Sequence, residues 1–204
     1  MIAIIDYGSG NVGAIANIYK QLKIAHRITS NLAELEAAER YVLPGVGAFD
    51  TTMDYFRRSG MTDLLQEQVV DRGKKVLGIC VGMQILADSS EEGLLPGLGW
   101  IPGRVRKIDT PLLPGPLCLP HMGWNPVAPR KGARLFDGVD VGRGFYFLHS
   151  YYFDASRGED VAATVSYGSE IPCAVAHGNV FGMQFHPEKS HANGVAVFRN
   201  FAEL

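Results

Sequence analysis

The segment Lys75-Val-Leu-Gly-Ile-Cys80-Val-Gly-Met-Gln84 sets one thiol between two glycines. An apolar run leads into Cys80 and a helical pattern starts after it. Gly78-x-Cys80-x-Gly82 therefore has the strand–turn–helix form of a nucleophile elbow, with sulfur in place of the serine oxygen. Such a tight turn leaves no room for side chains two residues before or after the nucleophile. It lifts the sulfur above the sheet edge, beside the N–H groups that a helix start leaves unpaired. A partial positive charge there favours a thiolate, the reactive form of cysteine. The N–H of Val81 can face a developing oxyanion. A lone cysteine can also be a buried structural thiol, but the paired glycines argue against that here. Cys118, in a Pro-rich stretch, and Cys173, in an apolar strand, lack this setting and read as ordinary thiols.

A thiolate that attacks an amide must deliver a proton to the departing ammonia, and histidine is the usual carrier. Of the six histidines, His186 stands out because the strand-like Gly182-Met-Gln-Phe185 ends at His186-Pro-Glu188. Pro187 cannot continue a ladder, so the chain turns there. His186 and Glu188 are two residues apart and can point to one side. Glu188 can then bond one ring nitrogen and fix the tautomer that faces the sulfur. The plain alternative is a His-Pro turn with a solvated glutamate. An elbow at the end of another strand favours the catalytic reading.

Two Gly-rich loops follow strands. In Pro44-Gly-Val-Gly47 the glycines let a backbone peptide turn its N–H into the site. The loop lacks the spacing and the lysine of a phosphate cradle. Gly8-x-Gly10-x-x-Gly13 fits a dinucleotide loop, but no acidic residue closes the next strand to hold a ribose.

These groups need a scaffold, and the first half of the chain alternates strand and helix patterns. Strands are expected at Ile2–Ile5, His26–Thr29, Tyr41–Leu43 and Val76–Ile79. Helices are expected from Asn11 to Leu22, from the Asn31 cap to Ala38, over Thr51–Phe56, over Met61–Arg72 and from Val81 to Ala87. Alternation of this kind implies parallel strands. The second half is Gly- and Pro-rich, with strands expected at Gly103–Ile108, Phe145–Phe153, Ala162–Tyr167, Cys173–His177 and Val180–Phe185. The last two flank a hairpin turn at His177-Gly-Asn179, and a final helix covers Gly194–Ala202. The expected fold is α/β and flavodoxin-like: a mostly parallel central sheet with helices on both faces and antiparallel additions in the second half. Residues 1–204 read as a single domain.

The 204 residues carry a formal net charge of -2 with no basic run, so nothing in the composition advertises a nucleic-acid or membrane surface, and neither partner is expected. Three widely spaced cysteines argue for a reducing compartment, and no CxxC pair or Cys/His cluster suggests a metal. No cofactor is expected. Met1–Asp6 lacks the basic start of a signal peptide, so the expected location is the cytoplasm.

Taken together, the motifs resemble the class I, triad-type glutamine amidotransferases. More closely they are similar to the glutaminase subunits of imidazole glycerol phosphate synthases. The resemblance rests on Asp6-Tyr-Gly-Ser-Gly-Asn11, Pro44-Gly-Val-Gly-Ala-Phe49, Gly78-Ile-Cys-Val-Gly-Met-Gln84, Pro120-His-Met-Gly-Trp-Asn125, Phe145–Tyr152 and Gly182–Ser190, which span nearly the whole chain. It implies a Cys80, His186 and Glu188 triad. It implies that glutamine is hydrolysed to glutamate and ammonia through a γ-glutamyl thioester. Gln84 and the Ser150-Tyr151 backbone would hold the glutamine, and Val46, with Gly47 beside it, and Val81 would supply oxyanion N–H groups. The implied partner is a (βα)8-barrel cyclase subunit, bound as a heterodimer near Met122–Asn125. It would receive ammonia through a channel and make imidazole glycerol phosphate and AICAR in histidine biosynthesis. The Pro-rich Leu112–Cys118 departs from the pattern. Three alternatives stay open at this point: a glutaminase serving another synthase, such as one in cell-surface sugar amidation; a stand-alone cysteine hydrolase; and a non-catalytic flavodoxin-like module.

Overall fold

The computed structural model describes residues 1–109 and 118–204. The segment Leu112–Cys118, where the sequence departs from the family pattern, lies outside the described residues except for its last one. The core is an eight-stranded sheet. Its strands are β1 (Ile2–Ile5), β2 (His26–Thr29), β3 (Arg40–Gly45), β4 (Lys75–Cys80), β8 (Ala128–Pro129), β11 (Val161–Tyr167), β12 (Ser169–His177) and β13 (Val180–Met183). They lie in the order β2-β1-β3-β4-β13-β12-β11-β8. The first five are parallel and the last three add on antiparallel. The parallel strands β1, β3 and β4 are buried almost end to end, as strands covered on both faces must be.

Helix α1 (Val12–Gln21) returns β1 to β2, and its buried Tyr19 packs edge-on against Phe198 of α6 (His191–Glu203), at 5.3 Å. The chain moves the other way along the sheet from β2 to β3 and on to β4. Right-handed crossovers therefore place α2 (Leu32–Ala37), α3 (Phe49–Arg58) and α4 (Thr62–Gln66) on the opposite face. Asn31 caps α2 as its sequence position predicts, with its side-chain oxygen accepting from the N–H groups of Ala33 and Glu34. The hairpin between β12 and β13 is closed by Gly178-Asn179, with Gly178 at φ +58°.

Boundaries differ from expectation at α3, two residues longer at each end, at β12, which starts at Ser169, at β13, which ends at Met183, and in five further places. Strand β3 runs through Pro44 to Gly45 instead of stopping at Leu43. The β1 ladder ends at Val42, and the Pro44 carbonyl accepts from the Tyr7 hydroxyl on that side. The missing Pro44 N–H therefore faces no strand. The expected helix over Met61–Arg72 is α4 followed by a π-helical stretch, Glu67–Asp71. The helix after Cys80, α5 (Val81–Gln84), ends three residues early, because the carbonyls of Ile85, Leu86 and Ala87 accept from Leu98, Ile101 and Gly99. The last helix starts at His191, before Gly194.

The last of these differences matters for function. The expected strand Phe145–Phe153 is two strands meeting at Ser150. Strand β9 (Phe145–His149) pairs with β7 (His121–Asn125) in a two-stranded ribbon. Strand β10 (Tyr151–Ala155) pairs with β6 (Gly103–Lys107), which also pairs with β5 (Ser89–Ser90). One aromatic run serves two sheets, and the joint between them borders the cavity above Cys80. No helix among the described residues is long and apolar enough to cross a membrane.

Candidate active site

Cys80 ends β4 at φ 56° and ψ −115°, a backbone conformation that L residues rarely adopt and that stores roughly 1–3 kcal/mol. The surroundings impose it. A Cβ on Gly82 would lie 2.0 Å from the Leu43 carbonyl oxygen, and one on Gly78 would lie 2.5 Å from the Gly82 carbonyl oxygen. Gly45 is as constrained, since its Cβ would meet the Gly82 nitrogen at 2.4 Å. Backbone packs on backbone at each of these points, so the elbow glycines are steric necessities.

His186 follows β13, which lies beside β4 in the sheet. Its N–H donates to Tyr146 O at 2.9 Å, and its carbonyl accepts from Ser190 Oγ at 2.7 Å. The main chain is thus held on both sides of the ring. His186 Nδ1 lies 2.9 Å from Glu188 Oε1, with both side chains almost fully buried. Burial alone would depress the His186 pKa. Hydrogen bonds and charge from Cys80 and Glu188 outweigh it and push it up to about 10. The ring therefore holds its proton between a sulfur and a carboxylate, which is the arrangement of a nucleophile, an acid–base group and an orienter.

A cavity of about 330 Å³ opens over the sulfur, and every residue singled out from the sequence lines it except Glu188, which stands behind His186. The lining adds residues the sequence reading did not single out as site residues, among them Glu92, His149 and Lys189. Glu92 and Lys189 give the cavity one carboxylate and one ammonium, the pair of charges a zwitterionic amino acid needs. Gln184 was also missed. It is fully buried, and its Nε2 lies 3.8 Å from Cys80 Sγ.

Three of the groups expected to meet glutamine are already engaged within the protein. Gln84 Nε2 donates to Tyr151 O at 3.2 Å and to Gln184 Oε1 at 3.0 Å, so the group Gln84 keeps for a ligand is its Oε1. The carbonyls of Ser150 and Tyr151 are likewise engaged, by Ile108 N–H and by Gln84 and His149. The third concerns Pro44–Gly47. The Ser9 hydroxyl accepts from Val46 N–H at 3.0 Å and donates to Val46 O at 3.1 Å. A Cβ on Gly10 would lie 2.5 Å from Pro44 Cβ. The loop that looked like a weak dinucleotide signature is the brace of the second Gly-rich loop.

Residues 3–204 match the family model described as glutamine amidotransferase class-I. The chain belongs to the class-I glutamine amidotransferases, in the branch of the imidazole glycerol phosphate synthase subunits HisH. It is 50% identical over 205 residues to the HisH subunit of Bdellovibrio bacteriovorus, covering 100% of both chains. It is 47% identical over 204 residues to that of Leptospira borgpetersenii, again covering 100% of both. A solved glutamine amidotransferase shares the fold at TM-score 0.71 and 20% identity, over 100% of each chain. The chain is therefore a glutamine amidotransferase and one subunit of a synthase. Among its described residues no group of three or more His, Cys, Asp or Glu is placed to hold a metal ion.

Proposed function

We propose that residues 1–204 act as one amidotransferase domain in which Cys80 is the nucleophile of a glutaminase that feeds a cyclase subunit. The observation that carries this is the strained thiol at the elbow beside the buried His186–Glu188 pair. Cys80 Sγ attacks the side-chain amide carbon of glutamine, and an S–C bond forms as the carbonyl oxygen gains charge. N–H groups of Val46 or Gly47 and of Val81 receive that charge. His186 gives its proton to the nitrogen as the C–N bond breaks and ammonia leaves. A water then loses a proton to His186 and displaces the sulfur, releasing glutamate.

The partner is a (βα)8-barrel cyclase subunit, bound as a heterodimer, that takes the ammonia through an internal channel to make imidazole glycerol phosphate and AICAR in histidine biosynthesis. The exposed apolar side chains around the cavity mouth support this docking side. Met122 and Leu148 face each other across β7 and β9, with Val46 and Trp124 close in sequence to the site's loops, and all four are more than a third exposed.

Partner binding gates the reaction. With its N–H on Ser9, the Val46 peptide is held away from an oxyanion, and losing one such donor costs roughly 3–4 kcal/mol of barrier. Docking that turns this peptide raises the rate only when ammonia has a destination. Glutamate release should rise strongly when the cyclase and its ligand are added, and equal rates would sink the gating. Ser9→Ala removes both hydrogen bonds on Val46. The isolated subunit should then release glutamate roughly tenfold faster or more, while the partner-bound rate changes far less. An unchanged basal rate in this variant means that Ser9 is not the latch.

A further inference from the structure

The two histidines of the β7–β9 ribbon form a chain whose direction can be read from its ends. His149 Nδ1 lies 2.8 Å from the Tyr151 carbonyl oxygen. That oxygen can only accept, so His149 carries its proton on Nδ1. His149 Nε2 lies 2.8 Å from His121 Nδ1. As His149 Nε2 must accept, His121 also carries its proton on Nδ1, and its Nε2 accepts from the Asn125 side-chain amide. Burial keeps both rings neutral, holding His121 down at about 4 and His149 at about 3, so no second ring proton competes. The only consistent direction runs from Asn125 inward.

This run of donors ends at the Tyr151 carbonyl, where a second run that starts at Gln84 meets it. That carbonyl receives His149 on one lone pair and Gln84 Nε2 on the other. The second hydrogen of Gln84 Nε2 goes to Gln184 Oε1, which turns Gln184 Nε2 toward Cys80 Sγ. His121 itself is fully buried and sandwiched between Phe147 at 4.6 Å and Tyr167 at 4.0 Å, so the ring cannot turn without unpacking.

We infer that His121 and His149 are positioning residues of the glutaminase, holding a hydrogen-bond chain that runs from Asn125, beside the exposed Trp124, to the Tyr151 carbonyl, where it braces the Gln84 and Gln184 amides that face the nucleophile. The amide donor then stands ready for the sulfur when it is anionic. With both lone pairs of the Tyr151 carbonyl taken, losing the His149 donor frees that peptide to shift, and with it the Gln84 and Gln184 amides that lean on it.

The inference rests on the glutaminase reading, and two substitutions at one position test it separately from that reading. His121→Phe keeps a ring in the aromatic sandwich but has no donor. His121→Asn loses the ring but places an amide nitrogen where Nδ1 was. With the partner subunit bound and glutamine saturating, His121→Asn should keep kcat within about threefold of wild type, and His121→Phe should lose on the order of tenfold with its thermal midpoint preserved. A packing role predicts the reverse order. The reverse order, or equal rates, overturns the chain. If His121→Asn does not fold, His149→Asn against His149→Phe gives the same test, since Asn keeps the donor to Tyr151. A wild-type complex that releases no glutamate, or a Cys80→Ala complex that does, overturns the glutaminase reading instead.

Discussion

Replacing Cys80 with alanine should abolish glutamine-dependent turnover of the reconstituted synthase, by roughly 10³-fold or more, and leave ammonium-dependent turnover intact. The size of the effect follows from the chemistry. Without the sulfur no thioester forms, and water must attack an unactivated amide. The second half of the expectation follows from the architecture. Ammonia enters the partner's reaction after the C–N bond has broken, so supplied ammonium bypasses the lost step. Alanine keeps the elbow's backbone demand, since both residues carry a Cβ at φ 56°, so the fold and the docking face should persist. The checks are glutamate release, product formation from glutamine, and product formation from ammonium salt. Glutamine-driven turnover in this variant would remove Cys80 from the mechanism.

The second large effect belongs to Glu188→Gln. The carboxylate sits 2.9 Å from His186 Nδ1, nearly buried, with Oε2 unpartnered among the described residues. An amide of the same shape removes the charge and can present N–H to the ring, which favours the wrong tautomer. Isosteric removal of the orienting carboxylate in a serine triad costs about 10⁴ in kcat, and a loss of about 10²–10⁴ is expected here. The pH profile provides an independent check. Hydrogen bonding and charge from Cys80 and Glu188 hold the His186 proton against burial. Taking Glu188 away leaves burial in place and removes part of what opposes it, so His186 loses its proton at lower pH. The alkaline fall in glutaminase activity should therefore move to lower pH in the variant. An unchanged alkaline limb with unchanged kcat would mean that Glu188 does not orient His186.

How much of this could be read from the sequence depends on how local each feature is. The elbow was legible because its steric demand falls on residues two apart, Gly78 and Gly82, and the structure shows backbone atoms where their side chains would be. His186 and Glu188 were legible for the same reason, as neighbours across one proline. The parallel half of the sheet followed from alternating periodicity. The rest is long-range. Ser9 meets Val46 across 37 residues and Gln184 meets Cys80 across 104, and no local pattern marks either contact. The run Phe145–Phe153 has one continuous strand pattern, yet its partners change at Ser150, because pairing is chosen by β7 and β6 and not by the run itself. The direction of the Asn125–His121–His149 chain needed atomic positions, since neither histidine has a signature of its own.

The central claim is that Cys80 is the sulfur that bonds glutamine, and a thiol-reactive glutamine analogue tests it most directly. Incubated with the partner-bound protein and read by peptide mass, it should add one equivalent at Cys80 and none at the exposed Cys118 or the buried Cys173. An absence of labelling, or labelling that falls on Cys118 and survives Cys80→Ala, would contradict the account.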